Sequence, residues 1–386
     1  MIISFIIAVY NNSTFLPFAV RSITKQTSSS DIEIIIVDDG STDGTALVAD
    51  ELAESDGRIK VIHQTNQWIY ASFNNGIKAA EGEYIYILNS DDLLSEGAVQ
   101  LLLDSIERYS HPDMIWTKVK WRELAADGTI KSERDINSDV VEDQYIDSVE
   151  MIHDKWSFIL ESDLATNQAN LYKRELALSH PFETDIYAAD FLFNISVADD
   201  LRSMAVLKND VYIYNVYQNP DMNASLGKYY GYEHRMFNKM MFAEIELYEK
   251  WDCKEAFIDR VVVKRLKSLS HEIQILNLPK CNLSFDEKID KIFNEIADNS
   301  IRMISRQVNR EREYESRILN GLKRFLNVSD GWSKISHQIK DLVMYLPANY
   351  SDNIDLNTIN KERINDSVNA EFNKDHIGKI YYSQNW

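Results

Sequence analysis

Two acidic pairs follow directly on apolar runs: Asp38 and Asp39 after IEIIIV, and Asp91 and Asp92 after YIYILNS. A third acid, Asp190, sits in DIYAADFLFNISVADD, where apolar residues recur at helical spacing. Carboxylate oxygens are hard ligands for Mg2+ or Mn2+, and a cation held by one or two of them remains free to bridge phosphate oxygens of a substrate. Asp91 and Asp92 therefore have the chemistry of a metal-diphosphate site. Asp38 or Asp39 could accept a hydrogen bond from a base or ribose, with Gly40 permitting a tight turn. Each pair also has a local alternative. One of Asp91 and Asp92 could cap a helix beginning near Ser95, and Ser41 or Asp43 could cap the helix that follows the first pair.

The elements around these residues decide whether they can meet. IISFIIAV (Ile2–Val9), IEIIIV (Ile32–Val37), IKVIH and YIYIL read as strands, and FLPFAVRSITKQ, TALVADELAE and SFNNGIKAAEG between them as helices. Strands apolar on both faces need cover on both sides, which predicts an α/β domain with a mostly parallel, Rossmann-like sheet flanked by helices. Ligands bind such sheets at the carboxyl ends of the strands. YNNS after the first strand, DDGSTDG after the second and NSDD after the fourth then share one rim. DMIWTKVKWREL and GTIKSERDI flank a turn and predict a hairpin, NQANLYKRE a strand entering a short helix, and SMAVLKNDVYIYNVY two closing strands. From about Lys228 the pattern changes to long helical segments. The expected organisation is an α/β domain over 1–225, an α-helical domain over 226–346 and a polar, loosely ordered tail over 347–386.

Composition narrows the function classes. A formal net charge of -20 repels a phosphate backbone, so broad nucleic-acid binding is disfavoured, while one local basic patch could still bind an anionic ligand. Cys253 and Cys281 are too few for a disulfide framework and lack zinc-site spacing, which suits a reducing, cytoplasmic setting. No apolar run reaches the roughly 18 to 20 residues a membrane-spanning helix needs. Residues 319–346 mix Lys323, Arg324, Lys334 and Lys340 with Phe325, Leu326, Trp332 and Leu342. That mixture fits peripheral contact with an anionic membrane, packing inside the helical domain, or a homo-oligomer contact.

SFIIAVYNNSTFLPFAVRSITKQT, IEIIIVDDGSTDGT, NNGIKAAEGEYIYILNSDD and FETDIYAADFLF occur in the order and spacing of one family. Over residues 1–225 the chain resembles the family 2, GT-A fold glycosyltransferases, bacterial enzymes among them. The resemblance implies an inverting, metal-dependent transferase that moves a sugar from a nucleotide diphosphate donor, such as a UDP-sugar, to a hydroxyl of a glycan or lipid-linked acceptor in surface polysaccharide synthesis. It further implies that Ala8, Tyr10, Asn11, Asp39, Asn74 and Asp91 bind the donor. By the same resemblance Asp92, with Asp91, holds Mn2+ or Mg2+, Asp92 being the principal ligand, and Asp190 is the general base.

The chain departs from the family pattern at Trp68 and Phe73, which stand where the family often has Gly and Arg, at Asn89 in place of the first acid of the metal motif, and at Ala189 in place of an acid beside the base. These changes keep open a catalytically silent sugar-nucleotide-binding or scaffold protein. An enzyme that forms sugar nucleotides is disfavoured, because AVYNNSTF lacks the glycine-rich, basic triphosphate loop such chemistry needs. Trp68 and Trp156 could stack on a sugar, although core packing is the usual place for large aromatics. His234, on a helical stretch, has the setting of a core or surface residue rather than a ligand.

Overall fold

The computed structural model describes residues 1–27, 29–125, 127–136, 140–161, 169–217, 229–297 and 299–325. The chain divides into two compact units, Met1–Ala224 and Ser225–Trp386. The first begins with β1 (Ile3–Val9), α1 (Leu16–Thr24), β2 (Ile32–Asp38), α2 (Thr45–Ser55), β3 (Ile59–His63), α3 (Ile69–Ala79) and β4 (Tyr84–Ile87). It continues through β5 (Leu93–Leu94), α4 (Ala98–Arg108), β6 (Met114–Leu124), β7 (Ile130–Asp135), β8 (Gln144–Ile146) and α5 (Val149–Glu161). The last elements are β9 (Asn170–Lys173), α6 (Arg174–Ser179), α7 (Ala189–Ala198) and β10 (Met204–Tyr217).

Among the described residues these strands form one sheet, in the order β3-β2-β1-β4-β9-β6-β10-β5, with β7 beside β6 and β8 beside β10. Strands β3, β2, β1 and β4 run parallel. Beyond them β9 lies antiparallel to both β4 and β6, and the sheet becomes mixed. Every residue of β1 and β2 is buried, as both-sided cover requires. Ile3, Phe5, Ile7 and Val9 share a core with Leu16, Ala19, Val20 and Ile23 of α1. The opposite face of β1 meets α3, where Gly76 admits Ile6: a Cβ on Gly76 would stand 2.5 Å from Ile6 Cγ2. Because β1 sends α1 and α3 to opposite faces and pairs with β2 on one side and β4 on the other, the order reverses beside it. That is where a parallel sheet opens a crevice.

The two closing strands expected in SMAVLKNDVYIYNVY are a single strand, β10. Register shifts on either side of Asp210 let it bend and go on pairing with β6, so the polar KND stretch is absorbed as a bulge rather than a turn. The expected hairpin is present as antiparallel β6 and β7.

The second unit contains α8 (Glu233–Lys250), α9 (Lys254–Gln274), α10 (Phe285–Lys291), α11 (Asn299–Gln307) and α12 (Glu311–Phe325). Ser284 and Glu287 form a capping box at the start of α10, with Ser284 N–H donating to Glu287 Oε2 at 2.7 Å. Val262, Leu266, Leu269 and Ile273 of α9 pack in one core with Tyr314, Ile318, Leu322 and Phe325 of α12. The basic, aromatic stretch 319–346 lies within the described residues only as far as Phe325, and the tail lies outside them. No helix of the described residues is long and apolar enough to cross a membrane.

Candidate functional site

The three rim loops are tied to one another by short polar bonds. Asp39 N–H donates to Val9 O at 2.9 Å, which fixes the end of β2 against the end of β1. Asn11 takes φ 48°, a left-handed conformation that Asn tolerates. Its Oδ1 accepts from Thr42 N–H at 2.7 Å and from Asp43 N–H at 3.3 Å. Asn12 reaches both neighbours, with its N–H donating to Thr45 Oγ1 at 2.8 Å and its Nδ2 donating to Ser90 Oγ at 2.8 Å. Asn11 is therefore a loop organiser, while Tyr10 beside it is 51% exposed and Ala8 is buried. The capping alternatives are not realised. Neither α2, which starts after Gly44, nor α4, which starts after Gly97, has a side-chain cap, although Asp43 Oδ1 accepts from Thr45 N–H at 2.8 Å beside the first of them.

Asp91 and Asp92 differ although they are adjacent. Asp92 is 1% exposed and both of its oxygens are engaged: Oδ2 accepts from the Tyr212 hydroxyl at 2.6 Å and Asn89 Nδ2 at 3.1 Å, and Oδ1 from Asn215 N–H at 2.7 Å. Burial, and then the neighbouring charge of Asp91, push its carboxyl well above the usual carboxylate range against those hydrogen bonds. Asp91 keeps partial exposure, and only its own amide supports its carboxylate. Burial raises it as well. Its backbone carbonyl accepts from Asn215 Nδ2 at 2.9 Å, so β10 grips the turn at both residues. Asn89 has a physical place in this arrangement. A carboxylate there would add a third negative charge, and the amide instead donates to Asp92.

Asp39 is 3% exposed and anchors the segment between β3 and α3. Oδ1 accepts from Gln64 Nε2 at 2.7 Å and Gln67 N–H at 2.8 Å, and Oδ2 accepts from Trp68 N–H at 2.8 Å. Gly40 makes room for this approach, with φ +72° and a missing Cβ that would lie 2.8 Å from Asn66 N. Trp68 takes φ 77° and ψ 162°, a conformation open to glycine and strained for any L side chain by about 1–3 kcal/mol. The backbone here is the one a glycine would choose. The core reading of Trp68 fails, because the residue is 37% exposed, whereas Trp156 is fully buried.

Asp190 opens α7. Tyr70, in the first turn of α3, donates its hydroxyl to Tyr187 O and hydrogen-bonds Asp190, which brings this acid to the same end of the sheet as the rim loops. Burial pushes its carboxyl up to about 6, against hydrogen bonds from Phe191 N–H, its own N–H and Tyr70. No ion pair among the described residues involves Asp91, Asp92 or Asp190. Ala189 is fully buried, so the position beside Asp190 faces the interior. Phe73 is likewise 1% exposed and packs with Tyr70 and Phe182, ring centroids 6.2 and 5.7 Å away. Phe182 in turn stacks on Phe193 at 4.1 Å. An arginine in place of Phe73 would bury its charge among these rings.

Asn74 does not join the rim. Its Nδ2 donates to Phe182 O at 2.8 Å and its Oδ1 accepts from Phe182 N–H at 2.9 Å, so its amide is spent on fastening α3 to the chain before α7. His234 lies buried in the helical unit against Glu272. Sequence reasoning missed Tyr212, Asn215 and Gln64, which hold the rim acids. An Asn inside a strand as apolar and aromatic as VYIYNVY is itself a signal, since Asn is depleted in strands.

A divalent cation fits this chemistry under one condition. The described residues contain no group of three His, Cys, Asp or Glu able to cage an ion. They do provide, in Asp91, a partly exposed carboxylate with no cation beside it among the described residues, the donor expected where substrate phosphates complete the shell.

Comparison with known proteins agrees with the geometry. Residues 4–140 match the family model described as glycosyl transferase family 2. The chain is 29% identical over 227 residues to the uncharacterized glycosyltransferase EpsJ of Bacillus subtilis (strain 168), covering 57% of this chain and 62% of EpsJ. It is 44% identical over 101 residues to the putative glycosyltransferase EpsH of the same organism, covering 26% of this chain and 29% of EpsH. The matches thus span less than two thirds of either relative. In fold it resembles S. aureus TarS 1-349 in complex with UDP-GlcNAc, with TM-score 0.57, 16% identity and coverage of 84% of this chain and 91% of that one. TarS 1-349 in complex with UDP gives TM-score 0.56 at 17% identity, covering 88% and 92% of the two chains. Residues 4–140, set on a GT-A sheet whose rim gathers the loops after β1, β2 and β4, thus match glycosyl transferase family 2 over about a third of the chain.

Proposed function

We propose that the first unit is the catalytic domain of an inverting glycosyltransferase that moves a sugar from a UDP-sugar to a hydroxyl of a glycan or lipid-linked acceptor, on the cytoplasmic side, in surface polysaccharide synthesis. One observation carries the reading: Asp91 and Asp190 stand at the same end of the sheet, both raised by burial, with no cationic side chain among the described residues to neutralise them. A UDP donor is supported by the TarS structures of the same fold, which hold UDP and UDP-GlcNAc.

In this reading Asp190 takes the proton of the acceptor hydroxyl as that oxygen bonds to the anomeric carbon and the bond from that carbon to the diphosphate oxygen breaks. One displacement inverts the centre. A carboxyl near 6 is ionised at neutral pH and still basic enough to accept the proton late in the transition state. Asp39 and Tyr10 hold the base. Asp91 takes the place of principal metal ligand, because the oxygens of Asp92 are already engaged in positioning its turn against Tyr212 and Asn215. Mn2+ or Mg2+ bound there with the donor phosphates would neutralise charge on the departing diphosphate.

The test is a panel of UDP-sugars with Mn2+ or Mg2+, following UDP release by wild type and Asp190→Asn. One donor should be turned over, and the substitution should slow it by about 10²–10⁴-fold without weakening UDP binding. Donor binding with no turnover, with or without saccharide acceptors, would identify a silent sugar-nucleotide-binding protein instead.

A further inference from the structure

The segment that leads into Asp190 is held from α3 by two side chains one turn apart. Asn74 takes both backbone groups of Phe182, and four residues earlier Tyr70 donates its hydroxyl to Tyr187 O, three residues before Asp190. The Tyr70 ring stacks on Phe182, with centroids 5.8 Å and planes 17° apart, and Phe182 stacks on Phe193 at 4.1 Å and 14°. Phe193 follows Asp190 by three residues, in the next turn of α7. Tyr70, Phe182 and Phe193 are each 5% exposed or less, so the three rings form one packed stack from α3 to α7.

The stack fixes the ring, and a phenylalanine would fill the same place. The hydroxyl therefore needs its own account. It carries one hydrogen and faces two acceptors, Tyr187 O and the Asp190 carboxylate. While Asp190 is ionised the hydrogen stabilises most on the carboxylate, because a hydrogen bond to a charged acceptor is about twice as strong as one to a neutral carbonyl. Once Asp190 has taken a proton it can donate to the Tyr70 oxygen, and the Tyr70 hydrogen returns to Tyr187 O. One hydroxyl thus serves both states of the acid. The other donors to the carboxylate are backbone groups, Phe191 N–H at 2.9 Å and Asp190 N–H. The titratable side chain that reaches Asp190 from β9 is Tyr172, whose own hydroxyl donates to Asn194 Oδ1 at 2.6 Å.

We propose that Tyr70 is a positioning residue for the general base, orienting the Asp190 carboxylate from α3 and giving its hydroxyl hydrogen to the ionised form. The inference rests on the transferase reading above, in which Asp190 receives the acceptor proton.

The experiment uses the full chain, isotope-labelled at the aspartate carboxyl carbons and read by carbon NMR, in wild type, Tyr70→Phe and Asn74→Ala. The Asp190 resonance is the one missing in Asp190→Asn, and its titration needs no substrate. Tyr70→Phe keeps the ring stack and removes the hydroxyl, so the Asp190 midpoint should rise by about one pH unit from a wild-type value of about 6. UDP affinity should not change, while kcat should fall about fivefold at pH 6 and recover toward wild type by pH 8. Asn74→Ala loosens the same segment without touching the hydroxyl and should leave the midpoint in place. A midpoint that stays or falls in Tyr70→Phe overturns the proposal, as does an equal rise in Asn74→Ala, which would trace the effect to packing of the segment. Loss of kcat by the same factor at every pH would also overturn it. Wild type that turns over no UDP-sugar, with the midpoint shift intact, would refute the transferase reading, and with it the catalytic use of a contact that the shift had shown.

Discussion

Glu272 in the helical unit is buried and Asp190 in the sheet unit is partly buried, yet their carboxyls shift in opposite directions. Burial alone would raise Glu272. The charge of Arg265 and the hydrogen bond from His234 overcome that and hold it below the ordinary range. Arg265 is 3% exposed; it bonds Glu272 directly, Ser268 Oγ at 2.5 Å and Asn238 Oδ1 through Nε at 2.8 Å, while His234 Nδ1 lies 2.8 Å from Glu272 Oε2. This cluster completes itself. Asp190, Asp91 and Asp92 are raised by burial and have no such cation among the described residues. A fold that neutralises its buried charge in one unit and leaves it open in the other marks the second as the place where something else supplies the charge.

The comparison can be broken first at the helical cluster. Arg265→Met strands Glu272 without its cation and should destabilise the helical unit by about 3–5 kcal/mol, read as a lowered urea midpoint by circular dichroism. Asp190→Asn should act the other way at neutral pH. The folded state holds the Asp190 proton more tightly than the unfolded chain, since its carboxyl rises from 3.8 to about 6. The resulting penalty is absent below pH 4, grows through the interval and is complete above about 6. Asp190→Asn should therefore stabilise the protein by on the order of 2 kcal/mol at pH 7.5 and by nothing comparable at pH 4. For the same reason, wild-type turnover should fall as pH drops through about 6. An effect of comparable size on stability is expected at Asn74, and one on binding at Asn11. Asn74→Ala unpairs Phe182 N–H and O and should cost about 1–3 kcal/mol of stability with UDP affinity unchanged. Asn11→Ala should loosen the 41–43 loop and weaken UDP as well.

Much of this was legible in local sequence, and what was not depended on distance along the chain. β1, β2, β3 and β4 announce themselves as short apolar runs, and the rim follows from parallel pairing alone. The division of labour between Asp91 and Asp92 does not, because Tyr212 and Asn215 lie 120 and 123 residues from Asp92. Asn74 looked like a donor ligand for the same reason, its partner Phe182 being 108 residues away. β10 was read as two strands because KND looks like a turn when the bulge that absorbs it is unseen. Trp68 carried the opposite lesson. Its φ 77° and ψ 162° suit the glycine that the resemblance leads one to expect at this position, although a tryptophan stands there.

The most direct test of the central claim, that the rim holds acid which a divalent cation and a diphosphate are meant to neutralise, is calorimetry of UDP binding with and without Mn2+ in wild type and Asp91→Asn. The account predicts that Mn2+ tightens UDP binding by tenfold or more in wild type, about 1.4 kcal/mol, and has no such effect in Asp91→Asn. Equal UDP affinity with and without Mn2+, unchanged by the substitution, would contradict it.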